Sequence, residues 1–246
     1  MSDKSKQGKS KNAPGRGSAR PGGRALAVRV KTAKKRDLAS TLWLERQLND
    51  PYVIEAKRLG YRSRAAFKLI QLDEKCRLLK PGMRVVDLGA APGGWTQIAA
   101  QKARANASGG RIVALDILAM DPVPPAIVLK LDFLDPAAPR QLKEALGGEA
   151  DLVLSDMAAP ATGHRETDHI RIIALAEAAY DFAAEVLAPG GAFVAKVFQG
   201  GSERDLLTRL KRDFETVRHV KPPASRAESA EVYVIAQNFR GLRESL

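Results

Sequence analysis

Lys196 interrupts the apolar run Ala192 to Phe198. An unpaired ammonium in a strand covered on both faces is costly, so a lysine retained there points to a functional amine. Asp156 stands directly after a second apolar strand, Leu152 to Ser155, where a carboxylate would face a ligand at the strand's carboxyl end. A third feature is the segment Asp87-Leu88-Gly89-Ala90-Ala91-Pro92-Gly93-Gly94-Trp95, which leads from a strand into a helix. Its small residues let backbone approach a ligand closely, and the helix start offers free N–H groups, so a nucleotide-like ligand is implied. The dinucleotide pattern G-x-G-x-x-G is not met, which argues against a diphosphate cradle. Asp116 ends the next strand, 22 residues after Gly94, where an acid accepts hydrogen bonds from ribose hydroxyls. Asp132 follows the third strand, in a position to read an adenine amino group. Together these residues fit a ligand with ribose and adenine but no phosphate.

Such residues need a sheet to hold them. Strands are expected at Arg84 to Leu88, Ile112 to Leu115, Ile127 to Leu131, Leu152 to Ser155, Ala192 to Val197, Glu215 to Val220 and Val232 to Ala236. Helices are expected at Leu42 to Leu48, Arg64 to Lys75, Gly94 to Lys102, Ala137 to Ala145, Asp168 to Leu187 and Glu203 to Phe214, with Ser63 as cap of the second. The alternation predicts an α/β, doubly wound, mostly parallel seven-stranded sheet, with chemistry beyond the carboxyl ends of its strands.

The net charge is +12, and residues 1 to 36 carry twelve Lys or Arg against Asp3 alone, so nearly all the excess is at one end. That stretch, poor in large apolar groups, is expected to be a disordered basic arm that meets polyanions through phosphate contacts. Residues 37–246 are expected to form the catalytic domain. No apolar run suits a secretory leader or a membrane span. The one cysteine, Cys76, excludes an internal disulfide and reads as packing, and a cytoplasmic location is expected. No His/Cys/carboxylate spacing suggests a metal, and His164, His169 and His219 read as surface or loop residues.

The segment Tyr61 to Leu69, the loop Asp87 to Trp95, the strand end Leu154 to Ala158, the strand Phe193 to Phe198 and the stretch Ser225 to Tyr233 resemble, in order, the motifs of the FtsJ-type ribose 2′-O-methyltransferases. The resemblance spans about residues 40 to 238. It implies a Rossmann-like methyltransferase fold, S-adenosyl-L-methionine as methyl donor, and a Lys-Asp-Lys-Glu catalytic set at Lys68, Asp156, Lys196 and Glu231. Glu228 is the competing position for the last acid. Donor contacts are implied at Gly93, Trp95, Asp116, Asp132 and Asp156. The implied substrate is ribosomal RNA of the large subunit, at a uridine of the A loop of 23S rRNA, and the implied state is a monomer. A tRNA, an mRNA cap, and a role as a mainly non-catalytic RNA-binding assembly factor are the alternatives. Arg62 and Arg64 are expected to meet phosphates. A ribose hydroxyl is a very weak acid, so methyl transfer needs its proton removed as the bond forms, and a lysine does that only when neutral.

Overall fold

The computed structural model describes residues 38–103, 109–199 and 203–241. The basic arm expected at residues 1 to 36 lies outside the described residues. The chain divides after Glu45 into two units, and the described part of the first is the beginning of helix α1 (Leu38–Leu48). The second unit, residues 46–246, holds the remaining described elements. Its helices are α2 (Pro51–Leu59), α3 (Ala65–Cys76), α4 (Gly94–Lys102), α5 (Ala138–Leu146), α6 (Arg165–Val186) and α7 (Arg204–Asp213). Its strands are β1 (Arg84–Leu88), β2 (Arg111–Asp116), β3 (Ile127–Lys130), β4 (Ala150–Ser155), β5 (Leu187–Phe198), β6 (Phe214–Val220) and β7 (Glu231–Phe239).

The strands form one sheet in the order β3-β2-β1-β4-β5-β7-β6. Only β7 runs antiparallel to its neighbours, so the expected mostly parallel, seven-stranded sheet is what forms. Because side chains alternate across a strand, the sheet has two different faces. One carries Val86, Leu88, Val153, Phe193, Val197 and Val234 against α5, α6 and α7. The other carries Val85, Ile112, Leu152, Leu154, Val194 and Ile235 against α3 and α4. On this second face the alternation continues into polar residues toward the strands' carboxyl ends: Asp87, Asp116, Asp156 and Lys196 share the parity of the apolar residues before them, and Tyr233 joins from β7. The pleat therefore delivers the reactive groups to one side, beneath α3 and α4.

Helix α2 is not among the expected helices, although its signals are local. Asp50 caps it by accepting from Tyr52 N at 3.0 Å, Pro51 opens it, and Gly60 closes it in the left-handed conformation. The cap expected at Ser63 does not form. Helix α3 starts at Ala65, and its cap position is Arg64, which is itself helical and makes no side-chain cap bond.

Candidate active site

Strand β1 enters a tight crossing to α4 that depends on missing side chains. Gly89 has φ +76°, and a Cβ there would lie 2.8 Å from the backbone of Met157. Gly93 has φ +102°, and its Cβ would press on Arg62 and Val123 at 3.0 Å. A side chain at either place would force the crossing open. The loop is tied to its neighbours by main chain, with Gly89 N donating to Leu115 O at 2.9 Å and Asp156 N to Leu88 O at 3.0 Å. Beside it, Ala91, Pro92, Leu118 and Met120 line a hollow of about 460 Å³.

The expected donor residues do not themselves line this hollow, and they stand differently around the crossing. Asp116 closes β2 with both carboxylate oxygens on backbone, Oδ2 accepting from Ala91 N at 2.8 Å and Oδ1 from Leu118 N at 2.7 Å. It therefore braces the loop, and each oxygen keeps lone pairs for a further donor. Asp132 is exposed past the end of β3 and accepts from Leu134 N at 2.9 Å. Gly93 forms the apex before α4. The Trp95 ring turns into the core, 2% exposed, donating from Nε1 to Ala65 O at 2.8 Å and packing on Tyr233 at 5.4 Å between centroids. As the second residue of α4, Trp95 has a backbone N–H with no acceptor one turn back within the helix.

The four residues Lys68, Asp156, Lys196 and Glu231 meet. Lys196 Nζ donates to Asp156 O at 2.7 Å and lies 3.1 Å from Asp156 Oδ1. Lys68, on α3, pairs with Glu231 Oε1 at 2.7 Å, and Ser225 donates to the same oxygen. Glu231 fills the position for which Glu228 was the competitor; Glu228 is exposed. The side chains keep between 9% and 17% exposure, so one molecule can reach all of them.

Tyr233 joins the two pairs. Its hydroxyl donates to Asp156 Oδ1 at 2.8 Å and accepts from Lys68 Nζ at 3.2 Å. Sequence reasoning missed this residue, although its alternation with Glu231 places both on one face. Burial, then the charges of Asp156 and Glu231, push the Tyr233 hydroxyl well above its usual range, so it stays a neutral donor. Burial would raise Asp156, but Lys196 and Lys68 outweigh it, and its carboxyl is held below the ordinary value. Asp87, deeper on the same face, is pushed up to about 7, first by burial and then by Asp156 and Asp116, against the hydrogen bond from Thr96 at 2.6 Å. Its Oδ1 is buried without a partner.

Arg62 and Arg64, expected to meet phosphates, are both hydrogen-bonded to groups within the chain. Arg62 donates to Asp121 O at 2.6 Å and to Pro92 O at 3.4 Å, and it also reaches Pro122 O, so it straps the loop before β3 to the β1–α4 crossing. Arg64 pairs with Asp50 at 3.2 Å and donates to Ala224 O. Carbonyls and a buried carboxylate within reach capture these guanidiniums, which sequence spacing does not show.

A doubly wound sheet with a glycine-lined β1–α4 crossing and a lysine–carboxylate cluster beside it defines an enzyme that handles a nucleoside-bearing ligand at its strand ends. Residues 61–239 match the FtsJ-like methyltransferase family, and the chain belongs to it. The chain is 68% identical over 225 residues to the ribosomal RNA large subunit methyltransferase E of Paramagnetospirillum magneticum, covering 91% of this chain and 92% of that one. It is 67% identical to the protein of the same name from Rhodospirillum rubrum, over 92% and 87% of the two chains. A Plasmodium falciparum structure described as a ribosomal RNA methyltransferase superposes with TM-score 0.66 at 32% identity, over 74% of this chain and all of that one.

Proposed function

We propose that this enzyme transfers a methyl group from S-adenosyl-L-methionine to a ribose 2′-hydroxyl of 23S ribosomal RNA, at a uridine of the A loop on the large subunit. The observation that carries this is the convergence of Lys68, Asp156, Lys196 and Glu231 around Tyr233, next to a crossing shaped for a phosphate-free nucleoside. The names of the relatives favour ribosomal RNA over tRNA or an mRNA cap. The retained cluster argues against a purely binding role.

The residues present fit the donor. Gly89 and Gly93 form a cradle that a Cβ would fill, Asp116 offers lone pairs to a ribose, and the exposed Asp132 suits an adenine amino group. The backbones of Gly93 and Trp95 complete the cradle, and Asp156 is shared with the acceptor side. The donor supplies a methyl on a positively charged sulfur, which leaves without needing an acid.

What remains for the protein is to orient the hydroxyl and accept its proton. An ammonium has three N–H directions. For Lys196 two are taken by Asp156 O and Oδ1, which leaves the third for the substrate hydroxyl. In the neutral amine the lone pair occupies that third direction and receives the 2′-hydroxyl proton at Nζ. Lys68, fixed by Glu231 and Tyr233, holds the hydroxyl oxygen as its negative charge grows. The test is site mapping: ribose-methylation profiles of ribosomal RNA from cells with and without the gene, followed by restoration in vitro with purified enzyme. Loss confined to one uridine of 23S rRNA is expected; an unchanged 23S profile overturns the assignment.

A further inference from the structure

Arg64, Lys68 and Gln71 stand at positions i, i+4 and i+7, one stripe along α3, and all three meet the stretch that leads from β6 into β7. Arg64 donates to Ala224 O, and Gln71 Oε1 accepts from Ala224 N at 2.7 Å, so the helix holds both polar main-chain groups of one residue. Gln71 is itself anchored, donating from Nε2 to the Tyr52 hydroxyl at 3.3 Å. Within the stretch, Lys221 Nζ donates to Ala227 O at 3.0 Å and to Ser229 O at 2.6 Å, and Ser225 N donates to Pro222 O at 2.8 Å. Lys68, between Arg64 and Gln71 on the stripe, meets Glu231 Oε1 at 2.7 Å.

The residue that this anchoring delivers is Ser225. It is buried, and its hydroxyl donates at 2.7 Å to Glu231 Oε1, the same oxygen that Lys68 uses. The last torsion of a glutamate is broad, so a single contact leaves the carboxylate plane free to turn. An oxygen with one lone pair on a hydroxyl and the other on an ammonium has a fixed direction. Lys68 is then held between that oxygen and the Tyr233 hydroxyl at 3.2 Å, with one N–H direction left over. The one hydrogen of the Ser225 hydroxyl is committed to Glu231, so its influence on methyl transfer passes through that carboxylate.

We propose that Ser225 is a positioning residue, which sets the Glu231 carboxylate and thereby aims Lys68 at the acceptor hydroxyl. This rests on the reading of Lys68 as the group that holds the acceptor oxygen. Ser225→Ala removes the hydroxyl and leaves the main-chain anchors in place. The substrate for the test is large ribosomal subunits from cells without the gene. The single-turnover rate at saturating subunits is expected to fall about tenfold, the scale of a hydrogen bond to a charged group. The half-saturating subunit concentration and the affinity for S-adenosylhomocysteine should not move. In a Glu231→Ala background the same change should alter the rate by no more than about twofold, because the group it acts through is gone. A tenfold fall in both backgrounds overturns the proposal, since Ser225 would then act without Glu231. A wild-type rate in Ser225→Ala overturns it too, as does a loss confined to the half-saturating concentration. Wild-type enzyme that methylates no subunits instead overturns the assigned reaction itself.

Discussion

Lys196 stands directly opposite Tyr233 in the antiparallel β5–β7 pair, and both reach the same atom, Oδ1 of Asp156, at 3.1 and 2.8 Å. Lys196 of β5, Tyr233 of β7 and Asp156, just past the end of β4, are thereby locked into one unit. Tyr233→Phe keeps the buried ring and removes the shared hydroxyl. Turnover should fall about tenfold with donor affinity unchanged. Asp156 is held low partly by this hydroxyl, so its carboxylate, present above that depressed value, is lost as pH falls through it. Without the hydroxyl the acid limb of the single-turnover profile should move to higher pH; an unmoved limb would remove Tyr233 from the unit.

Lys196→Arg keeps the charge and cannot release a proton near neutral pH. Single-turnover methylation should drop about a hundredfold or more while donor and RNA still bind. Near-normal turnover in the arginine variant would assign Lys196 to positioning and move the base elsewhere.

Asp116→Ala should weaken donor binding by roughly 1 to 3 kcal/mol, since a charge-assisted acceptor is lost. The same change frees the amides of Ala91 and Leu118, so the melting temperature should also fall. Calorimetry and thermal unfolding on one sample separate the two losses, and unchanged affinity would place Asp116 outside the donor site.

Asp87 binds its proton more tightly folded than unfolded, because it is pushed up to about 7. The stability this provides is complete below about pH 4 and disappears as pH rises through 7. The ceiling on the change is on the order of 4 kcal/mol, from about three pK units at 1.36 kcal/mol each. Asp87→Asn, which is neutral throughout, should show a smaller decline in melting temperature between pH 5 and pH 8. Parallel curves for variant and wild type would mean that Asp87 does not titrate in this window.

The cluster of Lys68, Asp156, Lys196 and Glu231 pairs two lysines with two acids, so it adds little net field, whereas residues 1 to 36 hold eleven of the twelve excess charges. Deleting residues 2 to 36 should therefore flatten the salt dependence of RNA binding and leave turnover at saturating RNA nearly unchanged. An identical salt slope would show that the arm meets no phosphate.

The crossing from β1 to α4 is legible in the sequence to the residue, because Gly89, Gly93 and Gly94 stand where backbone must turn or touch. Lys196 is legible because a charge in an apolar strand is conspicuous. Asp50, Pro51 and Gly60 marked α2 just as plainly, in a stretch where the expectation placed no helix. Ser63 satisfies the usual cap preference, yet α3 starts two residues later with an arginine at its cap. Arg62 and Arg64 carry no sign in the sequence that carbonyls of residues 92, 121 and 224 wait to receive them. Tyr233 depends on the register of an antiparallel pair whose partners are 37 residues apart in the chain, and local periodicity holds no record of that.

The bond from Asp156 N to Leu88 O, with Gly89 pressed on the backbone of Met157, spaces the β1–α4 crossing from the Asp156 carboxylate by main chain alone. Side-chain substitutions cannot retune that spacing, and a one-residue insertion in either strand end would destroy it. Side chains of α3 and of the segment before β7 can therefore vary without altering the distance that the main chain sets between crossing and carboxylate.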